Sequence, residues 1–377
     1  MNNCCHLCGN ELFSDPILRL EGVPKAAQYY PKENEFAGDK GITLTIWQCS
    51  GCGLVQHKMK PVKYFKEVIT AASLSEKSRS SRLSQMKEFA ARFGLIGKKA
   101  LDVGTGKGEM IDVLKEAGLQ AAGIEASLES VNIGRATGRN MIHGYIGDEG
   151  AIAGGPYDAF IFLNYLEHLP DPGAIIRNIY NNTTAYAVGY VTVPNLDYLL
   201  KTKSFYEFVA DHISYFTQKT LEHAFEANGF EVLDCRIINE ENDIATTVKK
   251  RKAIDLYSGC AIMGCLIEDL RRIIADYKSK NKKVAIWGAG HRTLALLALS
   301  QANDIAYIVD SAKFKQGKFA PVLHARIVPP DHLKEERVDL MIVMVPGLYP
   351  DEVLKTLERM NVKTDIAVLR GNEIEFI

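Results

Sequence analysis

The sequence predicts an α/β protein in which parallel strands alternate with helices, preceded by a small cysteine-built module and followed by a second α/β unit. Three observations carry that expectation. Lys99–Val103 is an apolar strand running into glycines at 104, 106 and 108, and Met110, Ile111, Val113 and Leu114 then recur at helix spacing. A second strand, Ala121–Ile124, follows and ends in an acid, Glu125, and the pattern strand, glycine turn, helix, strand, acid returns at Val284–Asp310. Two C-x-x-C-G strings, Cys5–Gly9 and Cys49–Gly53, stand ahead of both.

At 377 residues the chain is long enough for two or three domains, each with its own core. With 47% hydrophobic and 24% charged residues it has the composition of an ordinary globular protein. A net charge of −1 gives no overall attraction to nucleic acid or to an anionic membrane. No apolar run approaches the roughly 18 residues of a membrane span. The first residues, Met1-Asn2-Asn3-Cys4-Cys5, lack the basic start and apolar core of a signal peptide, so a cytoplasmic location is expected. In that compartment the eight cysteines are weighed as metal ligands or free thiols before disulfides.

The paired knuckles are the stronger cysteine signal. A C-x-x-C turn aims both sulfurs at one centre, and the following glycine permits the tight turn. Cys5, Cys8, Cys49 and Cys52 together supply the four thiolates of a closed tetrahedral zinc site, structural because no position is left open. Cys4 and His6 lie beside it as alternative ligands. The alternating Ile42–Trp47 is a hairpin arm leading into the second knuckle, which sets a zinc-binding domain at 1–60. From Pro61 to Leu95 the pattern turns helical. Tyr64 and Ser78–Arg82 are candidates for a lid over a ligand, against the alternative of a solvated face.

The second domain, 61–250, is organised around Asp102-Val103-Gly104-Thr105-Gly106-Lys107-Gly108. Glycines let backbone turn tightly with a ligand against it, and the amides opening the next helix face that ligand. Glu125 stands where a carboxylate meets ribose hydroxyls. A dinucleotide fingerprint reads G-x-G-x-x-G, whereas D-x-G-x-G-x-G resembles motif I of class I S-adenosylmethionine-dependent methyltransferases. That resemblance implies a Rossmann-like core with S-adenosylmethionine held by Asp102, Gly104, Thr105, Gly106, Gly108 and Glu125. It also implies an adenine contact after the third strand (Asn140–Ile146), where Asp148 stands.

The fourth strand, Tyr157–Leu163, is apolar throughout, as a strand covered on both faces should be. It ends at Asn164-Tyr165-Leu166-Glu167-His168, which should border the methyl donor because ligands in open parallel sheets lie beyond the carboxyl ends of the strands. Asn164 is therefore a cofactor-contact candidate, and His168 serves either chemistry or loop packing. A fifth strand, Tyr186–Pro194, precedes Phe205–Phe216, a run of aromatics with Asp211 and His212, and a helix opens at Thr217. The alternative for Asp211-His212 is a helix cap before Ile213. Lys249–Lys252 is a solvated turn or a phosphate contact leading into a linker helix from about Ile254 to Lys280. The third domain, 251–377, carries Gly288-Ala289-Gly290 and Asp310, so that a nucleotide site, an NAD site and a Rossmann-like half without ligand all stay open.

Knuckles, then this core with Asp211-His212-Ile213-Ser214-Tyr215-Phe216, then a small Rossmann-like domain is an order similar to the sugar C-methyltransferase family. Val309–His324 and Ile327–Leu333 resemble that family's C-terminal domain. The resemblance implies methylation of the carbon beside the ketone of a nucleotide-linked 4-keto sugar bound between the last two domains. The family string is close to Y-H-E-H-L-S-Y-F, and here Val209, Ala210 and Asp211 replace its first three residues. His212 matches the family base and His168 a second family histidine. Tyr206 or Tyr215 is then the candidate phenol, and Asp211 orients His212 or holds a sugar hydroxyl. Methylation of oxygen or nitrogen on a small metabolite, and a non-catalytic binding protein, are the competing functions.

Overall fold

The computed structural model describes residues 3–27, 30–62, 75–147 and 150–377. The chain divides into two compact units, Met1–Lys252 and Ala253–Ile377. Among the described residues no helix is long and apolar enough to cross a membrane.

The first unit opens with β1 (Leu18–Val23), β2 (Ile42–Gln48) and β3 (Val55–His57), paired antiparallel in that order between and after the knuckles. Alternation in β2 sends Leu44 and Ile46 fully inside, as period-2 patterning requires. Helix α1 (Glu76–Phe93) is capped by the Ser75 hydroxyl and stopped by Gly94 in the left-handed conformation. Its Met86, Phe89 and Ala90 are buried. Ser78–Arg82 lies in its first turns, while Tyr64 is outside the described residues.

The core then alternates β4 (Lys99–Val103), α2 (Glu109–Glu116), β5 (Gln120–Glu125), α3 (Leu128–Ala136), β6 (Met141–His143), β7 (Tyr157–Leu163), α4 (Pro172–Asn181) and β8 (Thr183–Pro194). Helix α5 (Leu196–Thr202), the short β9 (Ser214–Tyr215), α6 (Gln218–Glu226), β10 (Phe230–Ile238) and β11 (Asp243–Lys250) complete the unit. The seven strands lie in the order β10-β11-β8-β7-β4-β5-β6, with β11 antiparallel to both of its neighbours and the other pairings parallel. β7 is covered on both faces, as its unbroken apolar run requires: Phe160 packs edge-on against Phe230 at 5.3 Å between ring centres. Deleting such a ring costs about 3–5 kcal/mol.

Strand β9 is not part of that sheet. It pairs with β3, Val55 opposite Tyr215 and Gln56 opposite Ser214, so the first sheet runs β1-β2-β3-β9. Ser214–Tyr215 being extended, no helix begins at Ile213, and the capping alternative for Asp211-His212 is overturned; Thr217 is the cap, its hydroxyl accepting from Thr220 N–H.

Two side chains of the basic run Lys249–Lys252 bind backbone, and Lys252 lies over the Tyr186 ring. Lys250 donates to the carbonyl of Thr183 at 2.9 Å, and Arg251 to that of Phe230 at 2.8 Å.

The second unit begins with α7 (Tyr257–Ser279) and continues as β12 (Val284–Trp287), α8 (His291–Ser300), β13 (Ile308–Val309), β14 (Ile327–Val328), α9 (His332–Glu335), β15 (Leu340–Val343), α10 (Tyr349–Arg359), β16 (Asp365–Arg370) and β17 (Glu373–Phe376). Its sheet runs β14-β13-β12-β15-β16-β17, parallel except for β17.

Candidate active site

Strand β4 delivers Asp102 to the mouth of the glycine turn. Gly104 has φ +68°, and a Cβ there would meet the Tyr165 ring at 2.7 Å, so only glycine fits between the two loops. At Gly106, φ +58°, a Cβ would find nothing within 4 Å, which leaves open room against bare backbone. Glu125, buried at the end of β5, closes the turn: its Oε2 accepts from Gly106 N–H at 2.9 Å and its Oε1 from Ser127 N–H at 2.8 Å. Thr105 donates its hydroxyl to Asp102, and burial pushes the Asp102 carboxyl up to about 7 against that bond, with the Glu125 charge adding to the rise. Gly108 leads into the start of α2. A turn that is open, amide-lined and braced by an acid fits the methionine and ribose parts of S-adenosylmethionine. Asp148 lies outside the described residues.

The four knuckle sulfurs converge. Cys5 and Cys52 Sγ are 3.6 Å apart, Cys8 and Cys49 Sγ 3.5 Å, and all four lie within 4.8 Å of one another. A tetrahedron with Zn–S bonds of about 2.3 Å has edges near 3.8 Å, so the donor set fits the ion. Amides of Leu7, Gly51 and Cys52 donate to Cys5 and Cys49, further support for thiolate. Cys4 and His6 stand outside the four-sulfur cluster.

A third cluster gathers at the carboxyl ends of β7 and β8. Glu167, His168 and His212 present ligand or proton-transfer atoms within 4.8 Å of one another. The His168 and His212 rings meet edge to face at 4.8 Å. His168 Nδ1–H donates to the Asp211 carbonyl at 2.9 Å, which leaves its Nε2 toward Glu167 Oε1 at 3.9 Å. Burial pushes Glu167 up to about 8, and its Oε2 is buried without a hydrogen-bond partner. Burial, then the neighbouring His168 and His57, drives His212 down to about 3, so it is neutral at physiological pH. A cavity of about 220 Å³ opens on His212, lined also by Asn164, Glu207, Ser214, Asn242 and Asp243. A larger one, about 310 Å³ between Leu333, Arg337 and Lys363, belongs to the second unit and lies near the amino ends of β15 and β16.

The remaining sequence candidates divide. Asn164, at φ 48°, lines the cavity and is fixed by Thr192 at 2.6 Å and Asp243 at 3.3 Å. Asp211 is buried and accepts from Ala27 N–H at 2.6 Å. Tyr215 also lines the cavity, but its hydroxyl is bonded to Val209, accepting from N–H at 2.9 Å and donating to the carbonyl at 3.0 Å. Tyr206 is 80% exposed, unlike the buried cluster. Sequence reasoning passed over Glu167, whose signal was its place in the Glu167-His168 string, and His57, which had none. In the second unit Asp310 echoes Glu125: it accepts from Ala289 N–H at 2.8 Å, and also from Ala312 N–H and Lys315. Asp310 thus braces its glycine turn as Glu125 braces that of β4.

A methyltransferase-domain family model matches residues 75–234, and a model of the C-methyltransferase C-terminal domain matches residues 263–367. The C-methyltransferase NovU of Streptomyces niveus is 21% identical, over 92% of this chain and 90% of its own length. The chain belongs to the S-adenosylmethionine-dependent C-methyltransferase family. As a methyltransferase of that family it is an enzyme that uses S-adenosylmethionine, and the open, amide-lined glycine turn of β4 fits that cofactor. The ubiquinone biosynthesis O-methyltransferase of Vibrio parahaemolyticus is 35% identical over 91 residues, which span 22% of this chain and 39% of that protein. Among solved structures, the magnesium protoporphyrin IX methyltransferase of Synechocystis, with S-adenosylhomocysteine bound, covers 50% of this C-methyltransferase chain and 96% of its own, at 15% identity and a TM-score of 0.39.

Proposed function

We propose that this enzyme methylates the carbon beside the ketone of a nucleotide-linked keto sugar, with a structural zinc ion held by Cys5, Cys8, Cys49 and Cys52. The observation that carries the reading is the pair of neighbouring histidines, of which His212, neutral at pH 7, opens on a cavity beyond the carboxyl ends of the strands. A proton beside a ketone is within reach of an imidazole base when the developing enolate oxygen is stabilised. His212 takes that proton. His168 faces the oxygen: the Glu167 proton, which burial holds poised near neutrality, passes to His168 Nε2, 3.9 Å from Glu167 Oε1. The imidazolium so formed and the carboxylate left behind offset the enolate and the protonated His212. Asp211 and Asn164 fix the loops that carry the two histidines. The bound S-adenosylmethionine supplies an electrophilic methyl group next to this site.

Methylation of oxygen or nitrogen is the second reading, supported by the departure of Val209 and Ala210 from the family string. One experiment separates the two. The enzyme is incubated in D₂O with S-adenosylhomocysteine and a nucleoside-diphosphate 4-keto-6-deoxyhexose, and exchange at the carbon beside the ketone is followed by NMR. Exchange, lowered about 10²–10⁴-fold in His212→Ala, is expected. An acceptor that is turned over without exchange and without a new C–C bond refutes carbon methylation.

A further inference from the structure

His57 is a fully buried histidine on β3, in the cysteine-bearing part of the chain, and the reaction sketched above gives it no task. Its bonding is nevertheless specific. Met59 N–H donates to Nδ1 at 3.2 Å, so the proton sits on Nε2, and Nε2 donates to the carbonyl of Ala210 at 3.1 Å. The next carbonyl, that of Asp211, takes the His168 ring N–H at 2.9 Å. Two histidines from distant parts of the chain therefore hold consecutive carbonyls immediately before His212. The hold continues on the other side: Ile213 N–H donates to the Glu167 carbonyl at 2.8 Å, and His57 N–H to the Ile213 carbonyl at 3.2 Å. His212 projects from a backbone gripped before and after it.

We infer that His57 is a positioning residue for His212, and that through it the cysteine module sets the geometry of proton abstraction. The inference rests on His212 acting as the base. The imidazole has no task as an acid or base: burial holds His57 down to about 4, so it remains a neutral donor across the working range. What it supplies is one aimed N–H. Without that bond the Ala210 carbonyl is left buried and unpaired, and the segment shifts to find another donor. Misplacement of a catalytic group by about 1 Å costs up to roughly 10²-fold in rate.

His57→Leu removes the donor, whereas His57→Gln restores an N–H at the distance of Nε2. With a nucleoside-diphosphate 4-keto-6-deoxyhexose as acceptor, His57→Leu should lower both kcat and the deuterium-exchange rate about 10- to 100-fold. KM, the S-adenosylhomocysteine Kd and zinc content should stay within about twofold of wild type. His57→Gln should recover kcat to within about threefold. A folded His57→Leu enzyme with wild-type exchange and kcat overturns the inference, as does a folded His57→Gln enzyme more than about tenfold impaired. If His57→Leu fails to fold, His57→Gln alone decides by the same limits. Absence of exchange in the wild type refutes carbon methylation instead, and the His57 comparison is then read on methyl-transfer turnover.

Discussion

Glu167→Gln probes the buried acid through its effect on stability. In the folded protein burial, aided by the Asp243 charge, pushes the Glu167 carboxyl up to about 8 from an ordinary value of 4.5. Between those limits the unfolded chain has released the proton while the folded chain keeps it. The native state then binds more protons than the unfolded state, so this group makes stability fall as pH rises, by about 1.4 kcal/mol per pH unit. Across roughly three and a half units the ceiling is about 5 kcal/mol, fully developed above pH 8 and absent below pH 4.5. Glutamine keeps the volume and cannot ionise. Its amide brings its own desolvation cost, of about 1–3 kcal/mol, but that cost does not vary with pH. The assay is urea unfolding at pH 5, 6, 7 and 8 in a Trp287→Phe background, with the fluorescence of Trp47 reporting the first unit. The stability of Glu167→Gln relative to its parent should climb by several kcal/mol from pH 5 to pH 8. A difference that stays flat over that range shows that Glu167 is ionised in the fold, and the charge compensation assigned to it fails.

Cys52→Ser leaves three thiolates at a four-sulfur centre, so bound zinc and melting temperature should fall together; full zinc by mass spectrometry and metal analysis would show a different ligand set. Gly104→Ala drives a Cβ to 2.7 Å from the Tyr165 ring at a left-handed φ of +68°. It should destabilise by about 1–3 kcal/mol and weaken S-adenosylhomocysteine binding measured by calorimetry, while unchanged affinity would mean the turn does not meet the cofactor. Glu125→Gln sets an amide N–H against Gly106 or Ser127 N–H, and calorimetry should show at least a tenfold loss of S-adenosylhomocysteine affinity. Affinity within twofold of wild type would remove Glu125 from the site.

What was legible in the sequence is what is local. The β4 turn was readable because strand, glycines, helix and acid fall within about 25 residues and each obeys a short-range rule. The span Lys99–Val103 came out residue for residue, as did Tyr157–Leu163 and Val284–Trp287. The four sulfurs were readable because a C-x-x-C turn fixes its own geometry. β14, β16 and β17 were missed: the first is two residues long, and the others form a short C-terminal hairpin of six and four residues. The histidine site was only half legible. His168 and His212 stand in recognisable strings, but Glu167 acquires its character from burial, and His57 reaches the site only through the β3–β9 pairing. Neither burial nor long-range pairing leaves a mark on neighbouring residues in the chain.

That pairing also governs how the protein can be made. His57 and Ala210 are separated by 153 residues, so at about 5–20 residues per second β3 leaves the ribosome on the order of ten seconds before β9 exists. During that interval one side of β3 is an open sheet edge, with Gln56 and His57 awaiting the burial they have in the finished fold. If the knuckles take zinc as proposed, its capture needs only the first 52 residues, and early loading would then be a brake on misassembly while the edge is bare. A fragment ending near residue 60 would keep that edge permanently, and should aggregate unless a peptide carrying Ser214–Tyr215 is supplied to cover it.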